Sequence, residues 1–312
     1  MTLDVIVVAY HSGGVLDDAL TGLSRFAEGG RIIVVDNSPD DQSAAAVAAG
    51  FPTAHVLAEP ENVGFAAAVN DAFALATADI VLLANPDVHT LTGSVDDVLR
   101  IFATNPVAGA VAVRLLDGEG MLQHCRRRFR RFDFFATPLG LRRLPFGWVR
   151  RFGNTMSEWD HAEERVIDLA TGALLFIRRA AYEDVGPLDE QFFMYWEETD
   201  WLDRARAKGW QLVFTPTVGA VHAVRGSSGS GETSYSALLL ESTHKYTRKH
   251  FGRPTTFALR TAWILGDLTR LAFGAMRPSR DSRAARERLL FHLGQVTPAE
   301  GRHTRPPRRD AG

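Results

Sequence analysis

Short apolar segments alternate with segments of helical spacing through the first 117 residues of this chain. Each apolar segment has the length and composition of a strand buried on both faces, and they lie at 4–10, 31–38, 54–59 and 79–87. Ala-rich segments of helical spacing separate or follow them, at 13–28, 39–49, 64–77 and 93–104. This order predicts an α/β fold, in which helices flank a Rossmann-like mixed sheet that is mostly parallel.

The rest of the chain is less regular. The pattern predicts a strand at 109–117, a loss of periodicity over 118–165, a strand and a helix entry within 166–182, a helix over 197–208, a strand over 210–223 and helices from 235 to 293. We therefore expect a main domain over 1–232, a C-terminal helical extension over 233–295 and a disordered tail over 296–312.

Composition excludes several classes of protein. The net charge of the 312 residues is −2, so the chain as a whole does not attract nucleic acid. Cys125 is the only cysteine, which excludes an internal disulfide and a multi-cysteine zinc site and fits a reducing compartment. The sequence starts without the features of a signal peptide, and no stretch of 18 uncharged apolar residues occurs, so we expect a cytoplasmic protein.

Polar residues follow three of the predicted strands. In a parallel sheet, ligands bind outside the carboxyl ends of the strands, and here these ends are Tyr10-His11-Ser12, Asp36-Asn37-Ser38-Pro39 and Asn85-Pro86-Asp87. We expect the chemistry at this edge of the sheet. No G-x-G-x-x-G follows the first strand, which excludes a Rossmann dehydrogenase.

The second strand end and the helix after the third strand each allow two interpretations. Asp36 and Asn37 either hydrogen-bond a base or ribose, or form the turn before a proline. In ENVGFAAAVNDA (61–72), Asn62 and Gly64 open a helix whose small first turn permits close approach of a ligand, with Asn70 about two turns further along. The alternative is a helix start that packs through alanine.

The third polar strand end favours a metal site. Pro86 fixes the backbone after the strand, and Asp87 at the rim suits a divalent cation that carries a diphosphate. A strand-ending turn explains the same residues. His222 ends a late strand before the Gly/Ser-rich stretch 225–234, which could close over an anion with Arg225 and Ser227 near phosphate. A lone histidine is otherwise more often structural.

FFMYWEETDW (192–201) places Glu197, Glu198 and Asp200 directly after five apolar residues, four of them aromatic. One interpretation is a helix start, because acidic residues favour the first turn. The other is a charged site walled by aromatic rings, which keep water out and raise the pKa of a carboxyl group. Both interpretations can hold together.

Six stretches in this order carry a family resemblance: VIVVAYHS, IIVVDNSPD, ENVGFAAAVNDA, VLLANPDV, TGALLFIRRAAYEDVGPLDEQFFMYWEETDWLDRARAKGW and VHAVRGSS. Over residues 3–225 the chain resembles the inverting glycosyltransferases of family 2, which have the GT-A fold. Within that family it is most similar to bacterial rhamnosyltransferases that extend cell-envelope polysaccharides from lipid-linked acceptors.

The resemblance implies a role for each matching residue. The nucleotide would contact Ala9, Tyr10, Asp36, Asn37, Asn62, Gly64, Phe65, Asn70 and Asn85, with Arg225 near the diphosphate. Asp87 matches the last acid of the family's metal motif, whose first acid is Asn85 here, and His222 matches a position that completes the Mg²⁺ or Mn²⁺ site. Gly172 and Ala173 match the turn beside the acceptor sugar.

The resemblance also assigns the acidic stretch. Inverting transfer needs one base that takes the proton of the acceptor hydroxyl group. By the motif, Glu198 is that base, Glu197 holds the acceptor or a loop and competes for the role of base, and Asp200 orients the helix. Tyr195 and Trp196 belong to the aromatic wall that stacks on the acceptor sugar.

Two further segments suggest surfaces. Residues 124–153 hold nine arginines and one acid among aromatic residues, which is compatible with a solvated loop, a nucleic-acid binder or a patch for anionic lipid; the aromatic residues favour the lipid patch. The apolar stretch 255–276 could pack on the main domain, lie on a membrane or form a homodimer contact, and packing is favoured.

We therefore expect an enzyme that transfers L-rhamnose from dTDP-rhamnose to a lipid-linked acceptor glycan, peripherally bound at the inner face of the plasma membrane. Its product would belong to cell-wall polysaccharide biosynthesis. The alternatives are a UDP-sugar donor and a non-catalytic sugar-nucleotide or glycolipid binding protein of the same fold. We expect no nucleic-acid partner.

Overall fold

A computed structural model describes residues 1–27, 29–38, 50–51, 54–141, 154–223, 232–276 and 280–294. Its strands are β1 (Leu3–Ala9), β2 (Arg31–Asp36), β3 (His55–Ala58), β4 (Ile80–Ala84), β5 (Val88–Thr92), β6 (Ala108–Leu116), β7 (Arg165–Ile167), β8 (Leu174–Arg178) and β9 (Gln211–His222). Its helices are α1 (Leu16–Phe26), α2 (Phe65–Leu75), α3 (Val95–Thr104), α4 (Arg179–Val185), α5 (Glu197–Ala207), α6 (Glu232–Met276) and α7 (Arg280–His292), with a 3₁₀ turn at Arg131–Phe135.

The described strands form one mixed sheet in the order β3-β2-β1-β4-β8-β6-β9-β5. β7 pairs with the N-terminal part of β9. The β3-β2-β1-β4 half is parallel, and β6 and β9 are parallel to each other. β8 lies antiparallel between β4 and β6. The predicted α/β fold with flanking helices is therefore confirmed, and the carboxyl ends of β1, β2 and β4 lie at one edge.

Helices cover both faces of the sheet because its central strands are apolar on both faces. In β1, Val5 and Val7 pack in the core with α1 and α3, whereas Ile6 and Val8 pack in the core with α2 and α5. A strand with alternate side chains in two cores must be continuously apolar. That requirement explains why β1 has the sequence LDVIVVA.

Several predicted elements differ from the structure. β3 was expected to be buried on both faces, and that was wrong: its residues are exposed or half-buried because it lies at the sheet edge. The sequence did not predict β5, a short strand that follows Asp87 directly, or β7 as a separate strand. The predicted helix at 39–49 and the tail at 296–312 lie outside the described residues.

The C-terminal helices pack on the main domain. α6 is interrupted at Gly252, where φ is 84° and ψ is 168°, and Pro254 follows in the first turn of its second half. The helix begins at Glu232, next to the expected domain boundary, and the division into a main domain and an extension stays a prediction. Among the described helices, none combines the length and apolar character that a bilayer crossing requires.

Gly93 holds β5 against β9. Its φ is 84°, and a Cβ atom there would lie 2.1 Å from the carbonyl oxygen of Thr217 in β9. Gly120 has a similar φ of 81° but open space where its Cβ would be.

We expect Gly120→Ala to cost about 1–2 kcal/mol of unfolding free energy for the left-handed backbone alone, and Gly93→Ala to cost about 2 kcal/mol more because the strands must separate. Equal losses in urea unfolding would contradict this account of the β5–β9 contact.

Candidate active site

The carboxyl ends of β1 and β2 are joined by hydrogen bonds between their polar residues. The backbone N–H of Asn37 donates to the Ala9 carbonyl (2.8 Å), and the backbone N–H of His11 donates to Ser38 Oγ (2.7 Å). Asp36 is buried and its Oδ1 accepts from the Ser38 N–H at 3.0 Å. The structure therefore brings the predicted residues of both strand ends together. Tyr10 is half-buried beside them, with its ring 4.4 Å from that of His11.

Asn37 and Asn62 connect the end of β2 to the start of α2. Asn37 Nδ2 donates to Asn62 Oδ1 (2.9 Å), and Asn37 Oδ1 accepts from the Val63 N–H (2.9 Å). Asn62 Oδ1 also accepts from the Gly64 N–H at 3.0 Å. These contacts give both asparagines a structural role at the helix entry. Their predicted contact with a nucleotide stays a prediction.

Gly64 and Asn70 contact the segment that precedes the acidic stretch. A Cβ atom on Gly64, whose φ is 84°, would lie 2.6 Å from the Phe193 carbonyl, and that carbonyl accepts the Phe65 N–H at 2.7 Å. Asn70 Nδ2 donates to the Leu188 carbonyl (2.9 Å) and its Oδ1 accepts from the Leu188 N–H (3.0 Å). The small helix start thus accommodates the 188–193 backbone, a reason that the sequence did not indicate.

Asn85, Asp87 and His222, which we call the polar cluster, converge at the end of β4. The antiparallel pairing of β5 with β9 places Val88 opposite His222. As a result, His222 Nε2 lies 3.4 Å from Asp87 Oδ1 and 3.4 Å from Asn85 Nδ2. Asp87 is buried and His222 is half-buried. The sequence predicted these residues separately, and the sheet brings them together.

The polar cluster fits a divalent cation that is shared with phosphate. The described residues contain no group of three or more His, Cys, Asp or Glu side chains that could enclose a metal on their own. Mg²⁺ in nucleotide sites uses one or two protein ligands plus phosphate oxygens and water, and two ligands at right angles on such an ion are about 3.0 Å apart. The 3.4 Å between Asp87 Oδ1 and His222 Nε2 suits that arrangement.

Gln123 is a site residue that the sequence analysis missed. Its Nε2 donates to the His222 carbonyl (3.1 Å), and its Oε1 lies 3.1 Å from His222 Nδ1. The residue lies in the stretch 118–165, which has no periodicity, and a single glutamine in such a stretch has no signal that links it to a strand a hundred residues later.

Glu197 and Glu198, the acidic pair, begin α5 beside the turn at Gly172 and Ala173. Glu198 is partly exposed, and its Cβ and Cγ lie 3.4 Å from where a Gly172 Cβ would be. The Ala173 carbonyl accepts the Asn85 N–H at 2.8 Å. One turn of backbone therefore contacts the polar cluster on one side and the acidic pair on the other.

The acidic pair has raised pKa values. Burial, and then the charge of Glu198, raises the pKa of Glu197 well above its usual value. Burial also raises the pKa of Glu198, which hydrogen bonds to its own and the next backbone N–H and the nearby Arg126 partly oppose. Glu197 Oε2 is buried, and no donor in the described part of the chain reaches it. The geometry thus favours a neutral Glu197 next to a more accessible Glu198.

Tyr195 and Trp196 have left-handed backbone conformations, with φ of 69° and 76°. Two consecutive non-glycine residues of this kind are strained and need support from their surroundings. Trp196 finds it in an aromatic cluster, where its ring lies 4.6 Å from Tyr246 and 4.7 Å from Phe129. Trp196 therefore packs within the protein, and its predicted contact with an acceptor sugar stays a prediction, as does that of Tyr195.

Asp200 is fully buried between α5 and α6, and its predicted role in orienting the helix stays a prediction. Its Oδ2 accepts from Arg204 Nε (2.9 Å), and its Oδ1 lies 2.8 Å from both Lys249 Nζ and His250 Nε2 of α6. Burial alone would raise the pKa of Asp200, but the hydrogen bonds from His250, Lys249 and Arg204 outweigh it and lower the pKa to about 2. Arg225, predicted near the diphosphate, lies outside the described residues.

Comparisons with known proteins identify the family of this chain. The family model of "Glycosyl transferase family 2" matches residues 4–185. Over 284 residues the chain is 30% identical to an N-acetylglucosaminyl-diphospho-decaprenol L-rhamnosyltransferase of Mycobacterium tuberculosis, covering 84% of this chain and 91% of the relative. It is also 24% identical to a low-salt glycan biosynthesis hexosyltransferase of Haloferax volcanii, over 76% of this chain and 72% of the relative.

Solved structures share the fold. A mannosyltransferase of Pyrobaculum calidifontis, determined with GDP-mannose and Mn²⁺, superposes with a TM-score of 0.52 at 17% identity, over 94% of this chain and 86% of the other. S. aureus TarS 1–349 gives a TM-score of 0.51 at 13% identity, over 95% and 93%. The fold is thus of the GT-A type. The family model and the mycobacterial relative show that the protein is a glycosyltransferase. The chain belongs to glycosyl transferase family 2.

The low pKa of Asp200 predicts a pH dependence of stability. A carboxylate whose pKa falls from 3.8 to about 2 on folding contributes about 2 kcal/mol above pH 4, and this is lost as the pH falls toward 2. Asp200→Asn removes this charge from its partly exposed partners Arg204 and Lys249, so we expect a loss of about 2 kcal/mol at pH 6. The difference from the wild type should shrink between pH 4 and pH 2 in urea unfolding.

The matched control for this experiment is Asp18→Asn, on an exposed position of α1. It should change stability by less than about 0.5 kcal/mol at pH 6. A deficit of Asp200→Asn that stays constant from pH 6 to pH 2 would contradict the role of its charge.

Proposed function

We propose that the chain transfers L-rhamnose from dTDP-rhamnose, with inversion, to a hydroxyl group of a lipid-linked cell-envelope glycan. The observation that carries the proposal is the turn at Gly172 and Ala173, which contacts Glu198 through one residue and Asn85 of the polar cluster through the next. A base beside a diphosphate site is the arrangement that inverting transfer requires. The choice of sugar and acceptor is supported by the activity of the mycobacterial relative, an N-acetylglucosaminyl-diphospho-decaprenol L-rhamnosyltransferase.

Glu198 is the proposed base. The acceptor oxygen forms a bond to the anomeric carbon while the bond from that carbon to the diphosphate breaks, and the acceptor proton moves to the Glu198 carboxylate. A raised pKa makes this carboxylate a stronger base. A neutral Glu197 leaves a single negative charge on the acidic pair, so that its burial is less unfavourable. In the competing assignment the single charge lies on Glu197, which then takes the proton, and Glu198 is the neutral partner.

Asp87 and His222 are the proposed ligands of Mg²⁺ or Mn²⁺. When bound, such an ion would neutralise the diphosphate that leaves with the nucleotide. Ala9, Tyr10, Asp36 and Asn37 form the proposed contact with base and ribose, which is supported by their position at the carboxyl ends of β1 and β2. Asn62, Gly64, Phe65 and Asn70 are proposed to shape the neighbouring wall of this pocket, and Gly172, Ala173, Tyr195 and Trp196 the acceptor side.

Two other functions use the same fold. A UDP-sugar donor would need the same polar cluster and acidic pair, since these residues contact the diphosphate and the reacting atoms rather than the base. A non-catalytic sugar-nucleotide or glycolipid binding protein would also keep the pocket but would not need a proton acceptor. The buried, aromatic-flanked acidic pair favours the enzyme.

The function is tested by separating binding from turnover. Glu198→Gln should bind dTDP with Mg²⁺ as the wild type does, because ligand at 100 times its dissociation constant stabilises either protein by about 2.7 kcal/mol. Its turnover of dTDP-rhamnose with a lipid-diphosphate N-acetylglucosamine acceptor should fall by about 10²–10⁴-fold, the usual contribution of a general base. Thermal shift and product assay measure the two effects.

The control is Glu241→Gln, a partly exposed position of α6 that pairs with Lys245 on the same helix. It should keep both binding and turnover. Equal turnover in Glu198→Gln and the wild type would contradict the proposed base. Stabilisation of the wild type by UDP but not by dTDP would indicate a UDP-sugar donor. Binding of dTDP by the wild type without any turnover would favour the non-catalytic binding protein.

Membrane attachment is part of the proposal. The second half of α6 exposes an apolar face, with exposed fractions of 74% for Phe257, 57% for Leu265 and 48% for Leu268. Arg253 and Arg260 are exposed on the same half of the helix. Its acidic Asp267 is buried and paired with two arginines. A basic, apolar surface without exposed acid is typical of binding to anionic lipid.

The arginine-rich segment adjoins this face. Arg270 donates to the carbonyls of Thr137 (2.7 Å) and Pro138 (3.1 Å), which holds residues 131–141 against α6. Phe132 and Leu139 are about half exposed there, at 50% and 53%. This supports a joint surface from 124–141 and α6 at the inner face of the plasma membrane. The rest of the predicted patch, 142–153, lies outside the described residues.

Leu265→Ser with Leu268→Ser should weaken binding to phosphatidylglycerol-containing vesicles by tenfold or more, because each leucine contributes about 1.5–3 kcal/mol when it leaves water. Val107→Ser, a 47% exposed residue just before β6, is the control and should bind as the wild type does. Vesicle co-sedimentation measures the effect. Unchanged binding, or a concentration-dependent dimer that the double variant abolishes, would contradict membrane docking through this face.

A further inference from the structure

Gln123 uses both ends of its side-chain amide on one residue, His222. Its Nε2 lies 3.1 Å from the backbone carbonyl oxygen of His222, and its Oε1 lies 3.1 Å from ring atom Nδ1. The backbone of Gln123 is itself fixed, because its N–H donates to the Leu115 carbonyl at 2.8 Å. The contact is therefore a two-point clamp on the last residue of β9.

The clamp determines which ring nitrogen of His222 carries hydrogen. A backbone carbonyl only accepts hydrogen bonds, so the NH₂ end of the Gln123 amide must face it and the oxygen end must face Nδ1. An amide oxygen also only accepts, so Nδ1 must be the donor. In the neutral imidazole, the other nitrogen, Nε2, then has a lone pair.

That lone pair is on the ring nitrogen next to Asp87, the other proposed metal ligand. His222 Nε2 lies 3.4 Å from Asp87 Oδ1, so two acceptors face each other and a cation between them would satisfy both. Asn85 presents its Nδ2 to the same nitrogen at 3.4 Å, which agrees with a lone pair there. If Nε2 carried the hydrogen instead, it would donate to Asp87 and neither atom would be available to a metal.

The hairpin that precedes Gln123 keeps the clamp in place. The Asp117 N–H donates to the Met121 carbonyl (2.8 Å), and Asp117 Oδ1 accepts the N–H groups of Glu119 (2.9 Å) and Met121 (2.8 Å). A bridge between Leu116 and Leu122 closes the turn. The backbone of Gln123 is thus held in place by a hydrogen-bonded turn that follows β6.

We infer that Gln123 is a positioning residue that holds His222 in the tautomer able to bind the diphosphate-associated metal ion. Outer hydrogen bonds of this kind orient metal-binding histidines, and their loss typically weakens metal binding by about 10–100-fold. The inference rests on the proposed function, in which Asp87 and His222 are the metal ligands.

The test uses two readouts on the full chain. The first is ¹⁵N NMR of the His222 ring without metal, with its signal identified by its loss in His222→Asn. The wild type should show hydrogen on Nδ1, and Gln123→Leu should lose this preference. The second is an EPR titration of Mn²⁺ in the presence of dTDP, in which Gln123→Leu should bind Mn²⁺ about 10–100-fold more weakly.

Two further variants separate a positioning role from a structural one. Gln123→Glu keeps an acceptor opposite Nδ1 but loses the donor to the His222 carbonyl, so it should keep hydrogen on Nδ1 and bind Mn²⁺ with an affinity between those of the wild type and Gln123→Leu. Gln211→Leu makes the same change at the other end of β9, where the glutamine contacts Asn105, and should match the wild type in both readouts. An unchanged tautomer together with Mn²⁺ affinity within twofold of the wild type in Gln123→Leu would overturn the inference.

The two failures are distinguishable. If the wild type and Asp87→Ala bind Mn²⁺ with dTDP equally, the proposed metal site is wrong. The NMR readout on the metal-free protein still decides whether Gln123 fixes the His222 tautomer.

Discussion

A buried carboxylate in α5 is the interaction on which the candidate site depends. Asp200 has no exposed surface, and its partners His250 and Lys249 lie on α6, far along the chain. Asp203, one turn after Asp200 in α5, accepts a hydrogen bond from the hydroxyl group of Tyr246 in α6. Because a charge without water must be paired, α5 cannot leave α6 without a large loss of stability. The C-terminal helix α6 therefore positions the acidic pair at the start of α5, and the geometry of the site depends on it.

The two halves of the site are joined through backbone rather than through side chains. The polar cluster belongs to the ends of β4 and β9, and the acidic pair belongs to a helix start. The turn at Gly172 and Ala173 touches both, by a hydrogen bond to Asn85 and by contact with Glu198. Since β8 follows this turn directly and pairs with β4 in the sheet, the spacing between the halves is set by strand pairing.

The strained backbone at Tyr195 and Trp196 connects the site to the proposed membrane surface. Trp196 packs against Phe134 and Phe129, which lie in the arginine-rich segment, and against Tyr246 of α6. The same packing energy that supports two left-handed residues before the acidic pair also holds the arginine-rich segment against α6. Trp196 directly precedes the acidic pair, so side-chain contacts connect the proposed acceptor surface to it.

The sequence by itself determined the fold class, because buried parallel strands must be apolar on both faces, and the family, through six stretches in the right order. It also predicted strand-end residues such as Asn85, Asp87 and His222 one by one, without indicating that they converge. It did not reveal that Asn70 and Gly64 contact the 188–193 backbone, that Trp196 packs inward, or that Gln123 clamps His222. Those relations join residues about 50 to 130 positions apart. Only the tertiary structure decided them. The periodicity of a sequence predicts which face of a helix or strand is buried in the core. The partner of a single polar side chain depends instead on which strands pair and in which register.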